Sequence, residues 1–407
     1  MEAIVRLDHQ LLAVESEQEV NVMLELAAPE VEGTARPPLN LALVLDRSGS
    51  MAGPKLWYAK RAVAWLLSRL QPTDRVALVA FDDEALLAAP LAPAEMGLAT
   101  AALPTIDSGN MTNLSGGWLK GLEELRRAPE DEPRKLIVLS DGMANVGITE
   151  HGALVSLASG AASDRIGTTT IGYGEDFDEE LLTAMADAGG GNAHYAETAE
   201  SAPAIFAKEL EGLTQLVAQN VSVEIRPAEH VEVLTVLNEY PQVPVPGGVQ
   251  VALGDAYAGE RRRIVLTLHI PELAELGVAK VADLVVRYVS VGEKVSEHTL
   301  TVPVAVNLVS SDEAAAAAPD LEVTEEVHVL RAAQARIDAV RLADAGDFDA
   351  AHALLSTTQE NLRARGFHAE ADALDAGLVA PASYNGPNRK QLWYESQQRR
   401  RGRGREE

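Results

Sequence analysis

The chain has 407 residues, of which 34 are Lys or Arg and 61 are Asp or Glu, giving a formal charge of −27 at neutral pH. That length implies two or three domains, and 47% hydrophobic with 23% charged residues is ordinary globular usage that excludes global disorder, collagen-like and low-complexity classes. With no cysteine, disulfide frameworks, thiolate nucleophiles, zinc ribbons and iron–sulfur clusters are excluded, and the acidic balance disfavours duplex DNA or an anionic membrane as a partner for the body of the chain.

The first 20 residues contain no basic stretch followed by an apolar core and a small-residue cleavage site, and no uncharged apolar run of about 18 residues follows. The expectation is a cytoplasmic protein with no membrane partner. Residues 4–28 alternate between apolar and polar, as at Val20, Val22, Leu24 and Leu26, the period of half-buried strands. From Pro38 the texture changes. The apolar run 41–46 ends in a Gly/Ser turn, and residues 55–70 carry Ala59, Val63, Leu66, Leu67 and Leu70 at helical spacing. Strands over 76–81, 136–142 and 168–174 then alternate with helices over 114–125, 154–161, 179–188 and 202–216. Repeated βα units predict a parallel sheet covered on both faces, over residues 37–216.

Beyond Ala218 valine-rich alternating segments separated by Pro/Gly turns predict a β-sandwich over 217–309. The N-terminal strands, residues 1–36, are expected to join it, because an orphan hairpin is marginal alone. This places the α/β domain as an insertion between sandwich strands. Residues 310–320 read as a linker, although their Ala run could equally start a helix. Over 321–378, Val327, Leu330, Ile337 and Val340, then Ala351, Leu354, Leu355 and Leu362, give two helices divided at Gly346-Asp347, with a third short helix near Ala371. Residues 379–407 read as a basic flexible tail around Trp393-Tyr394. From Arg389 onward seven Lys/Arg stand against three Glu, so the tail carries +4 and residues 1–388 carry −31. A nucleic-acid partner is expected nowhere except at this tail; a charge run is usually a solvated terminus, and among the functional readings docking onto the acidic body is slightly favoured.

Three motifs fall at the carboxyl ends of predicted parallel strands, where an open α/β sheet builds its ligand sites. Asp46, Ser48 and Ser50 come from one tight loop, Thr112 precedes a helix, and Asp141 ends the strand LIVLS. All five are hard oxygen donors with no His or Cys beside them, a set that favours Mg²⁺, Mn²⁺ or Ca²⁺ over zinc or copper and leaves a coordination position open. Asp82 and Asp83 offer a second ion site or an outer contact, and Asn113, Ser115 and Asn145 are placed to orient the ligand loops. The plain alternative for all of them is helix capping and solvated turns. The segment GSMAGPK lacks the phosphate-loop pattern, and Pro54 reads better as a first helical residue. The nine histidines show no metal-protease spacing.

In this order and context the five residues are similar to the metal-ion-dependent adhesion site of the von Willebrand factor A (VWA) domain, with Asp46, Ser48, Ser50, Thr112 and Asp141 at its signature positions. The resemblance covers residues 38–216, about half the chain. It implies a Rossmann-like domain whose metal accepts an acidic residue, Glu or Asp, from a partner protein. Residues 253–270, the helical pair and the basic aromatic tail resemble a group of intracellular bacterial A-domain proteins, and so imply an adaptor for an AAA+ ATPase or a multi-protein complex. The segment DAGDFDAAHALL resembles a tetratricopeptide turn, but no 34-residue repeat accompanies it. The leading expectation is a non-enzymatic, divalent-metal-dependent binding module. The alternatives are a Mg²⁺-dependent phosphatase or phosphotransferase with Asp46 as nucleophile, although Ser48 stands where a second acid is needed, and a structural scaffold that does not use its metal.

Overall fold

The computed structural model describes residues 1–30, 36–174, 176–196, 198, 201–291, 296–374, 379–381 and 384–402. Three strands open the chain: β1 (Glu2–Leu7), β2 (Leu11–Ala13) and β3 (Gln18–Ala27). In β3 the period-two alternation puts Val20, Val22, Leu24 and Leu26 into one apolar cluster, and turns Met23 to the opposite face.

The chain then runs through β4 (Asn40–Asp46), α1 (Pro54–Leu67), β5 (Arg75–Phe81), β6 (Ala85–Pro93), α2 (Leu98–Ala102), α3 (Leu114–Leu125), β7 (Arg134–Ser140), α4 (His151–Ser163), β8 (Ile166–Tyr173), α5 (Glu179–Ala188), β9 (Gly190–Ala196) and α6 (Ala202–Thr214). The strands form one sheet in the order β6-β5-β4-β7-β8-β9, parallel except for β6. Every residue of β4 is buried, and its alternation feeds two cores. Ala42 and Val44 join a cluster with Trp118, Leu122 and Leu154 from α3 and α4, whereas Leu41, Leu43 and Leu45 join one with Val63, Leu66, Phe206 and Leu210 from α1 and α6. Gly121 lets α3 lie close on the sheet, since a Cβ there would meet Val44 Cγ2 at 2.7 Å.

Seven strands follow: β10 (Leu216–Pro227), β11 (Glu232–Val236), β12 (Gln242–Val245), β13 (Gly248–Tyr257), β14 (Arg261–Ile270), β15 (Gly277–Ser290) and β16 (Ser296–Val309). Two sheets result, ordered β1-β3-β14-β11 and β12-β13-β10-β15-β16-β2. β3 pairs antiparallel with β14, so strands from both sides of the α/β unit share one sheet. The facing sides of the two sheets pack as one apolar cluster.

The C-terminal part is helical: α7 (Ser311–Ala316), α8 (Leu321–Asp344), α9 (Phe348–Ala364), α10 (His368–Ala373) and α11 (Gly386–Arg400). Gly346, at φ +84°, turns the chain between α8 and α9. α8 covers the outer face of β3 and β14 through Val323, Val327 and Leu330 against Met23 and Val265.

Two expectations are corrected. Residues 310–320 are not simply a linker, because Ser310 accepts a hydrogen bond from Glu313 N and starts α7 through the alanine run. Nor are the described residues from 379 to 402 a flexible tail. Asn385 caps α11, Trp393 and Tyr394 are buried in the cluster that covers α5, and Tyr394 stacks on Tyr195 at 5.6 Å between centroids. Residues 403–407 lie outside the described residues. The acidic body draws the helix in. The ammonium of Lys390 stands 2.8 Å from Glu179 Oε2 and over the Phe177 ring, Arg389 pairs with Glu179 and Asp344, and Arg401 pairs with Asp187.

Candidate metal centre

The register of the parallel sheet builds the centre. Leu45 pairs with Leu139, so Asp46 and Ser140 emerge side by side at the carboxyl ends of β4 and β7. Asp46 is wholly buried; its Oδ1 accepts from Ser48 N at 2.8 Å and its Oδ2 from Ser140 Oγ at 2.6 Å. Burial pushes its carboxyl up to about 6, against the pull of these hydrogen bonds, and the neighbouring Asp141 adds repulsion.

After Asp46 the chain makes a short helical turn that returns Ser50 over the site. Ser48 Oγ lies 3.1 Å from Ser50 Oγ, and Ser50 Oγ donates to Asp141 Oδ1 at 2.6 Å. Gly49 N donates to Asn110 O at 2.8 Å, which locks this loop to the one that carries Thr112. Asn145 holds Thr112 by its backbone, accepting from Thr112 N at 2.9 Å and donating its own N–H to Thr112 O at 3.1 Å. A Cβ on Gly142 would lie 3.1 Å from Thr112 Oγ1 and 3.6 Å from Ser50 Oγ, which places the threonine hydroxyl beside the serine and the Asp141 loop. The fold therefore brings all five expected residues together.

The flanking residues divide by role. Asn113 caps α3 by accepting from Gly116 N, and Ser115 Oγ donates to Asn113 Oδ1 while accepting from Ile148 N. Asp82 is held by Arg47 at 2.9 Å and sits so close to Gly109 that any side chain there would clash. Its carbonyl accepts from Asn113 N, so Asp82 braces the threonine loop. Asp83 is exposed, and its carbonyl accepts from Asn113 Nδ2.

Sequence reasoning missed two members. Ser140 was read as a strand end, yet its hydroxyl is one of the two donors to Asp46. Lys55 was read as a helix start, yet its Nζ stands 2.5 Å from Asp141 Oδ2. The signal for Ser140 was available, since a strand-terminal serine beside a buried aspartate has few other uses; for Lys55 there was none at 86 residues' separation.

Among the described residues, no three His, Cys, Asp or Glu side chains group to hold a metal ion. The candidate set has two carboxylates and makes up its donors with hydroxyls. The oxygens fit a hard cation, because among the described residues buried Asp46 receives hydrogen bonds from a peptide N–H and from serine hydroxyls, all neutral.

Residues 40–208 match the family model of the von Willebrand factor type A domain. The chain contains a VWA domain. An uncharacterized protein of Synechocystis is 27% identical over 278 residues, 65% of this chain and 65% of that protein. The inter-alpha-trypsin inhibitor heavy chain H1 of Mesocricetus auratus is 30% identical over 157 residues, 36% of this chain and 17% of that one. The chain thus spans less than two thirds of either curated relative's own length. A solved von Willebrand factor type A protein from Catenulispora acidiphila has the same fold, with a TM-score of 0.77 over 97% of this chain and 96% of that one at 17% identity. That likeness extends beyond the VWA domain to the flanking sheets and C-terminal helices. Among the described residues no helix is long and apolar enough to cross a membrane.

Proposed function

We propose that the VWA domain binds a divalent cation, Mg²⁺ first among candidates, through Asp46, Ser48, Ser50, Thr112 and Asp141, and through it captures an acidic side chain of a partner protein. The observation that carries this reading is Asp46: a wholly buried carboxylate whose hydrogen-bond partners among the described residues are neutral, 2.6–3.1 Å links away from two serines and a second carboxylate. A bound cation supplies positive charge that offsets both carboxylates and leaves room for an incoming oxygen. The chain's own residues set the geometry. Ser140 and the Ser48 N–H fix Asp46, Asn145 fixes Thr112, and Asp82 with Arg47 braces the loop between them.

Phosphoryl transfer from Asp46 is disfavoured, because Ser48 holds the position of the second acid. The reading is of a non-enzymatic adaptor working in the cytoplasm, and an AAA+ ATPase or a multi-protein complex is the partner class it points to. A pull-down with the purified chain in Mg²⁺, in EDTA and with Asp46→Ala tests it. Partners held only by wild type in Mg²⁺ support the reading; equal retention in all three moves binding to another surface.

A further inference from the structure

We propose that Lys55 is a tethered counter-cation of the metal centre, which an incoming divalent ion must drive off Asp141. The inference rests on the reading of these loops as a cation site and adds a residue that sets its affinity.

Lys55 stands in the first turn of α1, directly after Pro54, where a positive side chain is disfavoured by the helix dipole and no acidic residue of that turn offsets it. Its compensation lies elsewhere. The ammonium reaches Asp141 Oδ2 at 2.5 Å, and the other oxygen of Asp141 takes the Ser50 hydroxyl at 2.6 Å. The lysine side chain is 31% exposed whereas Asp141 is wholly buried, so the lysine is a surface group whose head is inserted into a buried site. The anchor is its backbone, whose carbonyl faces the Tyr173 hydroxyl, and the head passes Gly174, where a Cβ would lie 3.5 Å from Nζ. Gly174 also holds φ +76°, so a larger residue there is disfavoured by conformation. A pinned backbone and a part-exposed side chain describe a group that can withdraw without unfolding its helix.

Ser50 and Asp141 belong to the same donor set, so a divalent ion bound there comes close to the ammonium. Like charges in a partly buried site repel strongly, and the lysine, free to rotate into solvent, is the one that yields. Its departure also leaves a positive group at the rim where a partner's carboxylate enters. Lys55 is thus a positioning residue that lowers ion affinity and couples ion arrival to exposure of an amine.

Calorimetric titration of Mg²⁺ into wild type, Lys55→Met and Lys55→Arg reads the competition directly. Removing the charge is expected to tighten binding tenfold or more, and the arginine variant to bind no tighter than wild type. Amine acylation of the wild-type chain, followed at Lys55 by mass spectrometry, is expected to rise severalfold on adding saturating Mg²⁺ and to stay level in Asp46→Ala. Wild type that binds Mg²⁺ while Lys55→Met binds equally or more weakly, or Lys55 labelling that stays level or falls in Mg²⁺, overturns the counter-cation role alone. No binding in wild type or Lys55→Met overturns the cation site, and this role with it.

Discussion

Lys135 of β7 and Asp255 of β13 join the VWA domain to the neighbouring β-sheet through an ion pair of 2.8 Å whose two side chains are 3% and 4% exposed. Burial opposes the lysine's charge, but Asp255 overcomes it and holds the ammonium more firmly protonated than usual. The pair does not stand alone. Glu209 of α6 lies nearby, accepting from Thr169 Oγ1 at 2.6 Å, from Asn192 Nδ2 at 3.0 Å and meeting His194 Nε2 at 2.8 Å, and Asn192 Nδ2 also reaches Tyr257 of β13. A buried polar network, rather than a wide apolar seam, fixes one unit against the other.

Lys135→Met should cost about 3–5 kcal/mol, because it strands Asp255 as an unpaired buried charge. The double variant Lys135→Met with Asp255→Leu should recover most of that loss. Urea midpoints of the four proteins in the cycle measure both; a double variant as unstable as the single would show that packing, not the charge, dominates.

Glu209 gives the network a pH signature. Burial would raise its carboxyl, but the His194 hydrogen bond and charge, the Lys135 charge and the Thr169 hydroxyl hold it at about 2, below its ordinary 4.5. A carboxyl depressed in the folded state stabilises fully above its unfolded pKa, and that contribution is lost as pH falls from about 4.5 towards 2. Unfolding midpoints between pH 6 and pH 3 should fall less steeply in Glu209→Gln than in wild type. Parallel slopes would assign the acid sensitivity to other groups.

Asp46 has the opposite sign. Its folded carboxyl is raised from 3.8 to about 6, so the ionised form costs stability at neutral pH and protonation relieves the cost as pH falls through 6. Asp46→Asn should therefore raise stability in EDTA, by up to about 3 kcal/mol, while abolishing the stabilisation that Mg²⁺ gives wild type. Thermal melts with and without Mg²⁺ check both halves. A variant less stable than wild type in EDTA would mean that the Asp46 hydrogen bonds matter more than its charge.

The C-terminal helix is a structural member. Trp393→Ala and Tyr394→Ala each remove a buried aromatic from the cluster that α11 shares with Phe177 and Tyr195, and each should cost about 3–5 kcal/mol. Calorimetric melting temperatures and protease resistance of the α11 segment report the effect. Loss of resistance without loss of global stability would show that α11 opens independently of the body.

Why α11 was not legible from sequence is clear from its residues. GPNRKQLWYESQQRR has no apolar periodicity beyond its LWY centre, and it docks through Arg389, Lys390 and Arg401, whose acidic partners lie about 200 residues away or, for Asp344, in α8. Charge balance predicted attraction but no helix. β6 and β9 escaped for related reasons: ALLAAPLAP and GGNAHYA carry proline or glycines that read as loops, and they survive as the two edge strands of the sheet. The central strands were legible because burial on both faces requires unbroken apolar runs such as LALVL and LIVLS. Asp46 and Asp141 were legible for the same reason, since polar residues after such a run mark the carboxyl end of a strand; Ser48 and Ser50 follow Asp46 in one loop, and Thr112 was legible as the residue before a helix. Lys55 acts across a loop, and no local pattern links it to Asp141.

The proposed function requires that Asp46, Ser48, Ser50, Thr112 and Asp141 together hold one divalent ion. Titration of the chain with Mn²⁺, with free ion counted by electron paramagnetic resonance, measures this most directly. Wild type should remove one Mn²⁺ per chain from solution, in competition with Mg²⁺, and Asp46→Ala and Asp141→Ala should remove none while keeping the wild-type circular dichroism. A wild-type titration that matches buffer, or equal uptake by the folded variants, would contradict the claim.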